Sequence, residues 1–157
     1  MRVDVITIFP EMFKPFLGEG MVRIALDKGA LDVSLHDLRD YSGNKHRKVD
    51  DRPYGGGPGM VLTPGPVFDA IESIVENNED SRFVLPTPQG KRLEHPKVVE
   101  LSKEERIVIL CGRYEGYDER IRQGFPWDEI SIGDYVTTGG ELPAMVVIDA
   151  AARLLPG

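Results

Sequence analysis

The chain has 157 residues, 41% of them hydrophobic and 29% charged, with a net charge of −7 and a single cysteine. That length can bury one core without staples, and a lone Cys111 excludes an internal disulfide and suits a reducing compartment. Residues 1–60 carry nine Lys or Arg against nine Asp or Glu, and residues 61–157 carry ten against seventeen, so a general nucleic-acid binder built on clustered cations is disfavoured.

The opening MRVDVITIFPEMF is no signal peptide, because its apolar run is short and broken by Asp4. No stretch of about 18 uncharged apolar residues is present. The expectation is a soluble, cytoplasmic chain with no membrane partner. Residues 3–9 read as a buried strand, residues 21–28 as a short helix stopped at Gly29, and Leu31, Val33 and Leu35 as an alternating second strand. A long polar, glycine-rich stretch follows, holding the one basic cluster, Lys45-His46-Arg47-Lys48 with Arg52; an RNA footprint and a solvated loop are both open there. Thr63 then resembles an N-cap for a helix with Val67, Ala70, Ile71, Ile74 and Val75 at 3–4 spacing. After it come a strand at 83–85, a helix opened by Pro96, a strand at 107–111, a short helix near 118–123, an extended run at 129–132 and a last helix from Pro143. Strands alternating with helices predict an α/β fold with a mainly parallel sheet flanked by helices.

Open α/β sheets bind ligands beyond the carboxyl ends of their strands. Three loops qualify: Pro86-Thr87-Pro88-Gln89-Gly90-Lys91, the stretch from Gly112 to Arg120, and Ser131 onward through Thr137-Thr138-Gly139-Gly140. Each carries glycine, and together they suggest a composite pocket rather than three plain turns. The run Tyr54-Gly55-Gly56-Gly57-Pro58-Gly59-Met60 matches neither the dinucleotide fingerprint nor a phosphate-binding P-loop. The loops are short of Lys and rich in Asp and Glu, which suits a neutral or cationic ligand. Cys111 at a strand end reads as a buried structural thiol, since His36, His46 and His95 are scattered. No Cys/His set has zinc spacing, and Asp50-Asp51 reads as a solvated loop sooner than a metal site.

In order along the chain, Ile8-Phe9-Pro10-Glu11-Met12-Phe13, Asp50-Asp51-Arg52-Pro53-Tyr54 through Gly59-Met60, Pro88-Gln89-Gly90, Cys111-Gly112-Arg113-Tyr114-Glu115-Gly116 and Ser131-Ile132-Gly133-Asp134-Tyr135-Val136 through Gly139-Gly140-Glu141-Leu142-Pro143-Ala144-Met145 resemble the bacterial tRNA (guanine-N1)-methyltransferases. The resemblance covers essentially the whole chain. It implies the SPOUT fold with a deep trefoil knot, against the general rule that connections do not thread. It also implies a cofactor, S-adenosyl-L-methionine, gripped by Leu85, Pro86, Thr87, Pro88, Gln89, Gly90, Gly112, Arg113, Tyr114, Glu115, Gly116, Ile132, Gly133, Asp134, Tyr135, Val136, Thr137, Gly139, Gly140 and Pro143. In this picture Gly139 and Gly140 let the backbone approach the adenosyl part, and Glu115 favours the cationic methionine end.

The substrate implied is tRNA, methylated at N1 of the guanosine 3′ of the anticodon. Arg153 matches the arginine that stabilises charge on O6, while Lys45, His46, Asp50, Arg52, Tyr54 and Gly59 are candidates to touch the RNA. Mg2+ is a second expected cofactor, with no ligands assignable in this sequence. The resemblance implies a homodimer with its active site at the subunit interface. It places the general-base aspartate and a tRNA-clamping helical domain beyond the last helix, whereas this sequence stops at Gly157. The expectation is one S-adenosylmethionine-binding domain over 1–157 that binds cofactor and dimerises but methylates tRNA weakly or not at all. Two alternatives remain: a SPOUT enzyme acting on ribosomal RNA or a ribose 2′-OH, which the Asp50-to-Gly59 block disfavours, and a nucleoside-binding sensor without catalysis.

Overall fold

A computed structural model of the protein describes residues 1–53, 55–75, 80–113 and 116–157. The chain forms β1 (Arg2–Thr7), α1 (Phe13–Leu17), α2 (Gly20–Asp27), β2 (Asp32–Asp37), β3 (Asp50–Asp51), β4 (Val61–Leu62), α3 (Pro64–Ile74), β5 (Arg82–Arg92), α4 (His95–Leu101), β6 (Arg106–Leu110), α5 (Glu119–Gly124), β7 (Asp128–Ser131) and α6 (Glu141–Ala152). Five strands make one parallel sheet in the order β2-β1-β6-β5-β7, and β3 pairs antiparallel with β4. The predicted α/β architecture with a mainly parallel sheet is therefore the observed one.

The sheet is parallel because helices cover both its faces, and its central strands are apolar nearly throughout, as two-sided burial requires. All five residues of β6 are buried. Strand alternation sends Val3, Val5, Ile107 and Ile109 to the side of α1, α2, α4 and α6, where they meet Phe13, Val22, Leu101 and Val147. Ile6, Val108, Leu110 and Leu85 face the other way, toward Val67, Ala70 and Ile71 of α3 and Ile121 of α5. Each fully buried Leu, Ile or Val contributes roughly 1.5–3 kcal/mol of transfer free energy, so these two clusters hold the sheet between its helical layers.

A charged cluster sits inside the sheet. Asp4 is fully buried on β1 and accepts hydrogen bonds from Arg106 Nε (3.0 Å), Arg2 Nε (3.1 Å) and the His36 Nε2 edge (2.8 Å), while Arg106 Nη2 donates to Ile74 O (2.5 Å). Burial pulls the Asp4 carboxyl up, and the hydrogen bonds from His36, Arg2 and Arg106 outweigh it, leaving the carboxyl below its ordinary value.

The structure departs from the sequence reading at several points, three of which bear on the site or on α3. The predicted loop at 86–91 is part of β5: Pro86 and Lys91 both pair with Ile130, so residues 87–90 swell outward as a wide bulge. A Cβ on Gly90 would lie 2.5 Å from the backbone of Glu129 and Ile130, so only glycine lets the strand return against β7. Secondly, α6 begins at Glu141, two residues before Pro143. Lastly, Thr63 precedes α3 as expected but makes no side-chain cap; its hydroxyl donates to Val49 O at 3.1 Å.

Candidate functional site

The cavity grows from the way β5 leaves its neighbour. β5 pairs with β6 only at Arg82, Phe83 and Val84, so beyond Val84 its β6 side is open. A cavity of about 550 Å³ lies at this opening, at the carboxyl ends of β5, β6 and β7. Leu85, Pro86, Thr87, Pro88 and Gln89 form its first wall; Gly112, Arg113, Gly116 and Tyr117, with Glu119 and Arg122 from α5, form the second. The third wall runs from Ile130 through Ile132 and residues 135–140 to Pro143. The three loops singled out in the sequence thus converge on one side of the sheet, as strand-end loops of a parallel sheet must.

Most of the residues expected to bind a cofactor line this cavity. Three do not. Gly90 presses on the Glu129–Ile130 backbone behind the first wall, where it shapes the bulge. Gly133 is crowded by the Tyr135 ring, which a Cβ there would overlap, and Asp134 is not among the lining residues. Tyr54, Tyr114 and Glu115 lie outside the described residues. Tyr117, Glu119, Ser131 and Thr138, which lie in the three loops but were not named as cofactor contacts, also line the cavity, as do Arg122 and Ile130. Tyr117 is half-buried with its hydroxyl packed against Gly112, and desolvation pushes its phenol well above the usual tyrosine value.

Behind the third wall lies a buried polar cluster that sequence reasoning missed. Glu141 is fully buried at the first turn of α6. Its Oε1 accepts from Thr7 Oγ1 at 2.7 Å and its Oε2 from Arg113 Nε at 2.8 Å. Arg113 Nη1 donates to Thr138 O at 3.2 Å, and the guanidinium lies 4.6 Å from the centre of the Phe9 ring. A Cβ on Gly139 would overlap Arg113 Nε, and one on Gly140 would lie 2.7 Å from Gly112 N and 2.8 Å from Cys111 Cα. The paired glycines are thus required by protein atoms already present, whatever else approaches them. Cys111 is buried as expected; burial first, then the Glu141 charge, push its thiol well above the usual value. Thiolate chemistry is excluded there.

Arg153 is exposed at the C-terminal cap of α6, and the cavity takes the N-terminal end of that helix. At about 1.5 Å per residue the two ends are roughly 18 Å apart, so Arg153 does not reach the cavity of its own chain. Lys45, His46 and Arg52 are exposed on the segment before β4, and Asp50 begins β3. The positive charge of this segment is partly answered by acids: Arg47 pairs with Asp40, and Lys48 Nζ lies 3.8 Å from Asp51. Gly55, Gly56, Gly57 and Gly59 all adopt positive φ, which explains the glycine run conformationally. β4 then docks beside the cavity, with Leu62 N donating to Gly116 O at 3.1 Å and Asp118 N to Leu62 O at 3.1 Å.

Among the described residues no three His, Cys, Asp or Glu side chains come together as a metal site. No helix is long and apolar enough to cross a membrane among them.

A family model described as tRNA (Guanine-1)-methyltransferase TrmD matches residues 1–157. The tRNA (guanine-N(1)-)-methyltransferase of Geobacillus kaustophilus is 54% identical over 157 residues, which is all of this chain and 64% of that protein. The protein of the same name from Anoxybacillus flavithermus is also 54% identical, over 158 residues and again 64% of its length. This chain thus spans a little under two thirds of both relatives. Among solved structures, tRNA (m1G37) methyltransferase from Aquifex aeolicus superposes with a TM-score of 0.91 at 46% identity, covering all of this chain and 71% of that one.

Proposed function

The chain belongs to the tRNA (guanine-1)-methyltransferase family, and on that premise we propose that its cavity binds S-adenosylmethionine for methyl transfer to N1 of the guanosine 3′ of the anticodon in tRNA. Residues 1–157 are, on this proposal, the cofactor-binding methyltransferase domain. The observation that carries it is a composite cavity of about 550 Å³ at the carboxyl ends of β5, β6 and β7, within the size range of small-molecule sites.

The lining fits such a molecule. Leu85, Pro86, Pro88, Ile130, Ile132 and Pro143 offer apolar surface to a flat base, while Thr87, Ser131, Thr137 and the loop backbones offer hydrogen bonds. Glu119 lines the cavity paired with Arg122 at 3.6 Å, and the family resemblance gives the carboxylate beside the cationic methionine end to Glu115. When bound, S-adenosylmethionine supplies an electrophilic methyl group on a cationic sulfur. The threaded knot of the family is part of the proposal, supported by Gly140 lying tight against the backbone of Cys111 and Gly112.

Substrate and assembly follow from the same premise. The exposed Lys45, His46 and Arg52 lie on the segment that β4 anchors at the cavity edge, which suits a tRNA backbone arriving there. Met21 and Ile24 on α2 and Leu142 and Val146 on α6 are exposed apolar side chains on two helices that pack together. Such a face suits a second copy of the chain, and a second copy is the only way Arg153 can meet the cavity and stabilise charge developing on guanine O6.

Calorimetric titration with S-adenosylmethionine, with NAD and ATP as controls and the solution mass measured in parallel, tests the reading. Saturable binding of S-adenosylmethionine alone by a dimer is expected. A folded dimer that binds none of the three refutes it. Methyl transfer to an unmodified tRNA transcript, compared with ribosomal RNA, then tests the acceptor.

A further inference from the structure

We propose that Glu141, held by Thr7, is a positioning residue: it fixes Arg113, and through Arg113 it sets the third wall of the cavity at residues 137–140. The proposal rests on the cofactor reading above for its effect on affinity, and on geometry alone for its effect on the wall.

Glu141, Thr7 and Arg113 come from three separate places: the end of β1, the loop after β6 and the first turn of α6. Their side chains meet where no solvent reaches Glu141. Both Glu141 oxygens are used, one by Thr7 Oγ1 (2.7 Å) and one by Arg113 Nε (2.8 Å). Thr7 Oγ1 also accepts from Phe9 N at 2.9 Å, so the same hydroxyl fixes the ring on which Arg113 lies. Nothing on Arg113 is left to roam: Nη1 reaches Thr138 O (3.2 Å) and Nη2 the Met12 sulfur (3.4 Å). The guanidinium is a planar fork with fixed directions, so anchoring one edge on Glu141 aims the other at the wall carbonyl.

Residues 132–140 contain no helix or strand. Inside the wall Thr137 Oγ1 donates to Gly139 O at 2.8 Å, and Ser131 bonds Gly133 at its near end. At its far end Gly140 N donates to Gly112 O at 2.8 Å and Ala144 N to Gly140 O at 2.9 Å, while Arg113 alone reaches Thr138 between them among the side chains described. Gly139 is glycine because Arg113 occupies the space a Cβ would need. Arg113 therefore acts as a brace against the back of the wall, and Glu141 as the anchor of that brace. Arg113 lines the cavity, and its guanidinium is held by Glu141, Thr138 and Met12.

The test compares Glu141→Gln, Thr7→Val and Thr7→Ser with the native chain, each checked for folding by circular dichroism. Glu141→Gln keeps size and the Thr7 bond but removes the ion pair. Misplacing a binding group by even 1 Å can cost on the order of 100-fold; with Gly140 still bonded, we expect S-adenosylmethionine affinity to fall about tenfold. Thr7→Val should weaken it several-fold and Thr7→Ser should not. Adding Arg113→Gln to Glu141→Gln should cost little more than either alone, because both remove one interaction.

Asp4→Asn is the control. It breaks a buried charge network near the opposite end of the sheet and should lower the melting temperature without changing affinity. The wall itself is read without ligand from the exchange rate of the Gly140 amide, which should rise in Glu141→Gln and Thr7→Val and stay native-like in Thr7→Ser and Asp4→Asn. Native affinity and native Gly140 exchange in a folded Glu141→Gln variant overturn the proposal, as does an affinity loss in Asp4→Asn that matches it. If Glu141→Gln does not fold, the Thr7 pair decides by the same two readouts. Absence of binding by the native chain refutes the cofactor reading alone, and Gly140 exchange still decides this one.

Discussion

Replacing Gly140 with alanine probes a tight backbone contact behind the third wall of the cavity. The added methyl would sit 2.7 Å from Gly112 N, 2.8 Å from Cys111 Cα and 3.1 Å from Cys111 C. Carbon atoms rest about 3.5–4.0 Å apart at optimum, so the new group is short of room by most of an ångström. The obstacles are backbone atoms at the end of β6, a fully buried strand, and cannot rotate aside as a side chain could. Relief requires α6 or the β6 end to move, which breaks the 2.8 Å bond from Gly140 N to Gly112 O. Overpacking costs about 1–3 kcal/mol and the lost hydrogen bond about 1 kcal/mol, a total of roughly 2–4 kcal/mol. For a chain of this size each kcal/mol moves the melting temperature by about 2–4 °C, so Gly140→Ala should melt about 5–15 °C lower. Gly65→Ala is the internal comparison: it lies in α3 with nothing within 4 Å of the new methyl, and helix propensity alone should stabilise by about 0.5–1 kcal/mol. Thermal denaturation of the three proteins by circular dichroism reads both. A Gly140→Ala protein melting within 1 °C of native, with Gly65→Ala raised as expected, would refute the steric argument.

Two further outcomes follow from buried titratable groups. The Asp4 carboxyl is held below its ordinary value, so the unfolded chain binds more protons around that value and stability falls as pH drops through it. The contribution is complete above about pH 4, the ordinary carboxylate range, and disappears below it; Asp4→Asn should be less stable at neutral pH and show a flatter acid limb in urea melts at successive pH values. Cys111 is fully buried with its thiol pushed well above the usual value, so a thiol reagent such as DTNB should leave it unmodified in the native chain and titrate one thiol in denaturant. Rapid labelling of the folded protein would contradict that burial.

What could be read from the sequence divides along the range of the interactions involved. Strands β1 and β6 were legible because Val3, Val5 and Ile6, and Ile107 to Leu110, form apolar runs whose meaning is local. The helix α3 was legible from its 3–4 spacing after Thr63 and Pro64. The convergence of three loops on one cavity followed from a topological rule for parallel sheets and needed no contacts. By contrast, residues 86–91 read as a loop because Pro86, Pro88 and Gly90 are loop residues by type; only pairing with Ile130 makes them a bulged strand. α1 was missed because Pro15 falls inside a five-residue helix. Glu141 was quoted only as part of a motif, since a carboxylate beside two glycines looks solvent-facing. Its partners lie 28 and 134 residues away, beyond any local pattern.

The same separations govern how the chain folds. β6 is flanked by β1 and β5, and β7 joins the sheet only along β5, so the cavity's walls cannot meet until strands distant in sequence have paired. Closing such contacts spends loop entropy before they repay it, which slows folding when pairing is non-local and parallel. Helices such as α3 form from neighbouring residues in far less time. A refolding chain therefore recovers its helical signal before it recovers a cavity, and the Thr7–Glu141 bond, spanning nearly the whole sequence, belongs to the last stage. Ligand competence in this molecule is a late kinetic event, gained only once both ends of the chain have come together.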